Sequence, residues 1–296
     1  METAESIHGN DEEEPMGLLD MFTRKEIDTR RRSLSFVLND AKAVYDDGRI
    51  GLEPTTLTIS EKRVAVIGLN GAGKSTLLKL IDGAMTPTSG TVSVVQHVLD
   101  DNDEPVDGQD TAYDPSHKSD AKALKDIIGI VRREEIPNSY YMAENISAAL
   151  DAPLKKRKMP DAMRNETIGA LFAHFGLTAY ARQKADALDS EKRHLLAIVG
   201  ALAISPAAIV ADEPTKGLDE PATRNVARAL FSYDRQVVFA THDLTLVTDP
   251  IYAIDRVLVL DEHRVVFDGA PNDAVDHYND LIRERYERMK AGNAEQ

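Results

Sequence analysis

Eight consecutive residues, Gly68, Leu69, Asn70, Gly71, Ala72, Gly73, Lys74 and Ser75, satisfy the pattern GxxxxGK[ST]. Glycines in such a loop let backbone N–H groups approach phosphate oxygens closely. A helix starting at the lysine adds the positive end of its dipole. Lys74 would reach the β- and γ-phosphates of ATP, the Ser75 hydroxyl would bind Mg²⁺, and Thr76 would contact the α-phosphate. A second group of candidates closes the apolar run Ala208, Ile209, Val210, Ala211, which ends in Asp212 and Glu213. An Asp at the carboxyl edge of a strand, close to a phosphate loop, can hold Mg²⁺ through water. The adjacent Glu can polarise an attacking water as general base. Alone, an Asp-Glu pair reads as a solvated turn; after a phosphate loop it reads as the other half of a nucleotide site.

These residues need strands and helices to carry them. The β-branched run ending at Ile67 predicts a strand within residues 57–68, and STLLKLIDG predicts a helix behind the loop. SLSFVLNDAKAVY alternates apolar and polar residues as an antiparallel strand does, and TVSVV is a further short strand. From about 137 to 205 the pattern is helical, in YMAENISAAL, DAMRNETIGALFAHFGL and SEKRHLLAIVGALA. The second of these carries Ile168, Leu171, Phe172 and Phe175 at helical spacing. AAIVAD and QVVFAT read as buried strands flanking the helix ATRNVARALFSY, and RVLVL with RVVFDG as a closing hairpin. Buried strands alternating with helices imply a mostly parallel sheet covered on both faces. The expected organisation is an acidic, disordered extension over 1–32 and a main domain over 33–280. Within that domain lie an aperiodic surface insertion at about 99–120 and a helical lobe at about 124–200. A charged tail, 281–296, follows.

Composition excludes several chemistries. The 296 residues contain no Cys, so disulfides, zinc-thiolate sites and thiol nucleophiles are ruled out. A net charge of −15 argues against nucleic acid as a partner. The first residues are acidic and polar where a secretory signal would be basic and then apolar. The longest apolar run, 195–211, is interrupted by Ser205 and Pro206 and reads as a helix end, a turn and a buried strand. A soluble protein is therefore expected, with any membrane role supplied by a partner. The basic run Lys155, Lys156, Arg157, Lys158 reads as a solvated loop.

Asp212, Glu213, Pro214, Thr215, Lys216, Gly217, Leu218 and Asp219 resemble the Walker B and D-loop segment of ATP-binding cassette (ABC) ATPases. The resemblance extends over about 33–280. It implies a P-loop NTPase fold with a RecA-like core, an antiparallel β element and a helical subdomain. Thr241, His242 and Asp243 are similar to the H-loop, whose His contacts the γ-phosphate and helps to hold the catalytic water. Tyr45 precedes the P-loop by the distance at which the family places an aromatic ring against adenine, and the resemblance implies that role for it over a strand-end Tyr packing on the sheet.

Two stretches depart from the family pattern. Arg133 stands where a Gln would bind Mg²⁺ and sense the transporter, and an Arg has no acceptor atom for a metal. Leu188, Asp189, Ser190, Glu191 and Lys192 occupy the LSGGQ signature, with both glycines gone and two carboxylates where phosphate would sit. In the family two cassettes sandwich two ATPs, each site combining one P-loop with the opposite chain's signature. The departure favours a heterodimer with a second ABC ATPase subunit over a homodimer. THDLTLV and DRVLVLDEHRVVFDGAP are similar to the ATPases of energy-coupling-factor importers of vitamins or of cobalt and nickel ions. That resemblance implies integral membrane partners and a cytoplasmic location against the membrane. A soluble ABC protein of translation or repair, a P-loop kinase and a slow regulatory cassette are the alternatives; the second has no reason for the 212–219 segment.

Overall fold

The computed structural model describes residues 31–133 and 136–294. The acidic stretch 1–30, expected to be disordered, lies outside them. Arg31 and Arg32 lie inside: Arg31 pairs with Asp103 at 2.7 Å, and Arg32 opens the first strand.

Two sheets share one core. β1 (Arg32–Val44) lies antiparallel between β2 (Ile50–Ile59) and β4 (Ser89–Val98), and β5 (Thr111–Tyr113) extends β4. The expected alternation holds in β1, where Leu34, Phe36 and Leu38 are buried. The second sheet has six strands in the order β10-β9-β3-β8-β7-β6. They are β3 (Arg63–Gly68), β6 (Ile128–Val131), β7 (Ala208–Asp212), β8 (Gln236–Ala240), β9 (Arg256–Asp261) and β10 (Arg264–Gly269). All pairings are parallel except β9 with β10, the expected hairpin. Successive side chains leave a strand on opposite faces. Val66, Val210 and Val238 accordingly pack against β1 and α1 (Lys74–Ile81), while Ile67, Ile209 and Phe239 face the helices.

α2 (Lys118–Ile127) joins α1 on the first face through its buried Leu124, and the helices on the other face are α3 (Asn138–Tyr141), α4 (Ile146–Lys156), α5 (Asp161–His174), α6 (Ser190–Leu202), α7 (Glu220–Phe231), α8 (Leu244–Thr248) and α9 (Pro271–Ala294). Ile168, Leu171, Phe172 and Phe175 are all buried, as their spacing requires. The run 195–211 is the end of α6, a turn with Ser205 at φ 50°, and β7. Among the described residues no helix is long and apolar enough to cross a membrane.

Several expectations need correction. LTISEKRVAVIG is two strands, because the chain turns at 60–62 before β3. YMAENISAAL is broken at Asn145, whose side chain accepts from Ala148 N at 2.9 Å and so starts α4 afresh. Residues 99–120 are not aperiodic throughout. Asp100 accepts backbone N–H groups of Asn102 and Glu104, β5 pairs with β4, and α2 begins at Lys118. Ile128–Val131 lies in the parallel sheet rather than in the helical lobe, since a fully apolar four-residue run is satisfied as an edge strand beside β7. In the basic run, Arg157 ends α4 and donates to Asp126 Oδ1 at 2.8 Å and Lys125 O at 2.9 Å.

Candidate nucleotide-binding site

The carboxyl edge of the parallel sheet gathers the candidate chemistry. β3 ends at Gly68, and the loop folds over before α1 starts at Lys74. Two glycines there are obligatory. A Cβ on Gly68 (φ 150°) would lie 2.2 Å from the Leu260 carbonyl oxygen, and one on Gly73 (φ 105°) 2.7 Å from that of Gly51. Only a bare backbone fits between β2, β9 and the loop. Lys74 Nζ folds back to donate to Gly68 O at 2.7 Å and Leu69 O at 3.2 Å. It lies 4.0 Å from Glu213 Oε1. Burial lowers the proton affinity of Lys74, against the opposing pull of Glu213 and Asp212.

Asp212 ends β7, buried, and its Oδ1 has no hydrogen-bond partner among the described residues. Glu213 takes a left-handed turn at φ 52°, with its N–H donating to Ala240 O at 3.0 Å. A non-glycine residue held there is strained, a frequent mark of functional positions. The turn sets the buried carboxylate beside His242, with Nε2 and Oε1 2.8 Å apart. Burial raises the Glu213 pKa, opposed first by Lys74. Burial, with Lys74 and Arg133 nearby, lowers that of His242. The lowered proton affinity favours the neutral imidazole, and the tautomer protonated at Nε2 is the one that donates to Glu213 Oε1.

One cavity of about 700 Å³ connects these groups. Asn70, Gly71, Gly73, Lys74, Ser75 and Thr76 line it together with Glu213, His242 and Arg133. Tyr45 lines it as well, its hydroxyl 2.8 Å from Thr76 Oγ1. The volume suits a nucleotide-sized ligand. Gly68 and Asp212 are not among the lining residues, although Asp212 directly precedes Glu213, which is. The signature residues and Asp219 lie elsewhere. Asp189 caps α6 and Asp219 caps α7, each accepting a backbone N–H three residues on, at 2.9 and 3.0 Å.

His263 also lines the cavity and was not foreseen. It sits in the β9–β10 turn with Glu262, both at positive φ (65° and 45°) where Asn-Gly is usual. Its carbonyl accepts from Glu53 N at 2.8 Å, and its Nδ1 is buried without a partner among the described residues. The two non-glycine residues at a tight hairpin turn were the available signal.

A phosphate cradle of this kind, faced by a buried acid and a histidine, places the protein among the P-loop NTPases. The family profile described as ABC transporter matches residues 52–216, more than half of the chain. The chain belongs to that family and is an ATP hydrolase of the ABC type. It is 30% identical to the biotin transport ATP-binding protein BioM of Rhizobium etli, over 82% of this chain and 97% of that protein. It is 29% identical to the methionine import ATP-binding protein MetN of Corynebacterium jeikeium, over 70% of this chain and 52% of that one. Among solved structures it is similar to cbiO1 of Clostridium perfringens, part of the ABC transporter complex cbiONQ. The TM-score is 0.65 at 25% identity, covering 86% of this chain and 96% of that one.

Proposed function

We propose that this chain is the ATP-hydrolysing subunit of an energy-coupling-factor importer for a vitamin or metal ion, working against the cytoplasmic face of the membrane. The observation that carries the catalytic part is the convergence of Lys74, Glu213 and His242 on one cavity, with Glu213 and His242 2.8 Å apart. Lys74 and the α1 N-terminus bind the phosphates, Glu213 takes the proton of the attacking water, and His242 holds that water and the γ-phosphate. Tyr45 supports the adenine. The donors suit Mg²⁺: the Ser75 hydroxyl and the unpartnered, buried Oδ1 of Asp212 are hard oxygens. When bound, the ion neutralises phosphate charge. The importer class rests on the likeness to BioM and cbiO1.

The altered signature supports a heterodimer. Asp189 already takes the Lys192 N–H, and the Lys192 ammonium pairs with the same carboxylate. Glu191 accepts from Asn225 Nδ2 at 3.0 Å. The two acids are therefore less repulsive than bare carboxylates, but the helix-end donor that a phosphate would use is occupied. The combined change Asp189→Ser, Ser190→Gly, Glu191→Gly is expected to raise homodimer ATP turnover about tenfold, worth roughly 1.4 kcal/mol of barrier. Serine keeps the cap, while the glycines cost up to about 1 kcal/mol each in helix stability. Steady-state phosphate release tests this, and an unchanged rate would mean that this half-site never limits turnover. The same observation gives the second reading, a regulatory cassette with slow turnover.

Affinity purification of the chain from its own membranes, followed by mass spectrometry, distinguishes the two. A second ATPase with an intact signature, together with small membrane proteins, is expected. Recovery of this chain alone, or with ribosomal or repair proteins, would overturn the importer reading.

A further inference from the structure

Arg132 and Arg133 follow β6 directly, and their side chains serve different places. The register pairs Val131 with Ala211 and Asp212 with Ala240. Arg132 and Arg133 thus leave β6 beside the end of β7, where Asp212 and Glu213 stand. Val66 pairs with Ala240, so Gly68 and His242, each two residues on, leave the sheet at the same height. Four parallel strands therefore deliver Gly68, His242, Glu213 and Arg133 to one edge, where α/β sheets bind ligands. Arg132 turns away. Its Nη1 lies 2.7 Å from Asp82 Oδ2, a fully buried carboxylate at the end of α1. That ion pair ties the end of β6 to the helix that carries the phosphate loop. Arg133, exposed, lines the nucleotide cavity with Lys74, Glu213 and His242.

Its charge acts inside that cavity: it favours the ionised form of Glu213 and disfavours protonation of Lys74 and His242. A guanidinium offers five N–H donors in a planar fork that suits phosphate bidentately and cannot lose its proton in a protein. Three cations line the cavity, and of these Arg49 pairs with Asp47 and lies over the Tyr45 ring, while Lys74 and Arg133 share the influence on Glu213 and His242.

We propose that Arg133 binds the terminal phosphate of ATP within its own subunit, so that this chain distinguishes ATP from ADP by a cation that takes over part of the charge neutralisation usually left to Mg²⁺. This rests on the reading of the cavity as an ATP site. ADP lacks the phosphate that Arg133 would hold, and removal of Mg²⁺ leaves Arg133 in place.

The test is calorimetric titration of the full chain with ATP and ADP, each with Mg²⁺ and with excess chelator. The proteins are wild type, Arg133→Gln and Arg133→Lys. For Arg133→Gln, ATP binding should weaken about tenfold or more, as for loss of a hydrogen bond to a charged group, while ADP binding shifts by less than about twofold. The ATP loss should be larger in chelator than in Mg²⁺. Arg133→Lys should recover part of it. Unchanged ADP binding also shows that the variant is folded. Equal effects on ATP and ADP, or no effect on either, would overturn the proposal while leaving the ATP site intact. Failure of the wild type to bind either nucleotide would overturn the site reading and this proposal with it.

Discussion

Replacing Lys74 with alanine is expected to abolish ATP binding at physiological concentrations. Lys74 Nζ is the cation at the start of α1, and its side chain is buried within the loop that it closes. Removing one member of a buried charged contact costs about 2–5 kcal/mol, a weakening of roughly 30-fold to several thousand-fold. Two further losses add to it. Gly68 O and Leu69 O lose the donor that they share, so the loop is held less firmly in the shape that presents its N–H groups. Glu213, buried and already raised in pKa, loses the cation 4.0 Å away. The variant should therefore also hold its carboxyl protonated to higher pH. Calorimetric titration with Mg-ATP reads the affinity directly; binding within threefold of wild type would show that backbone donors and metal suffice without the lysine.

Why Lys74 was legible in the sequence, and His263 was not, has a physical basis. The phosphate loop is a local object: glycines, lysine and serine must be consecutive because one strand end and one helix start are consecutive in the chain. Asp212 and Glu213 were found for the same reason, at the end of an apolar strand that can only be buried. His263 reaches the cavity because β9 lies beside β3 in the sheet and its hairpin turn arrives at Gly73 and Glu53, and no spacing within the hairpin encodes that approach. The divergence of Arg132 and Arg133 is similarly tertiary, since it depends on Asp82 waiting at the end of a helix fifty residues earlier. The fold follows the same division. Long alternating or fully apolar runs predicted β1, β7, β8 and the closing hairpin. The breaks at 60–62 and Asn145, and the three-residue β5, depend on turn bonds and pairings too short to leave a period. Arg133 was visible as a departure from a family pattern, but only the folded chain puts it in one cavity with Glu213.

Replacing Glu213 with glutamine is expected to leave ATP binding intact and to lower hydrolysis by about 10²–10⁴-fold, the usual contribution of a positioned general base. Glutamine has the same shape, and its amide oxygen can still accept from His242 Nε2, the partner at 2.8 Å. It cannot take a proton. The buried site then loses a charge whose desolvation is unfavourable, so stability should not fall. With chemistry blocked, ATP stays bound and the closed pair with the second ATPase accumulates, which size-exclusion chromatography of the two subunits together in Mg-ATP detects. The pH profile supplies an independent check. Burial raises the Glu213 pKa above the ordinary glutamate range near 4.3. Since only the ionised carboxylate can act as base, wild-type turnover should fall as pH drops through that raised value, at higher pH than for an exposed glutamate. The residual activity of Glu213→Gln should lack this acid limb. Hydrolysis at the wild-type rate, with the limb preserved, would assign the base to another group and leave Glu213 as an acceptor that orients His242.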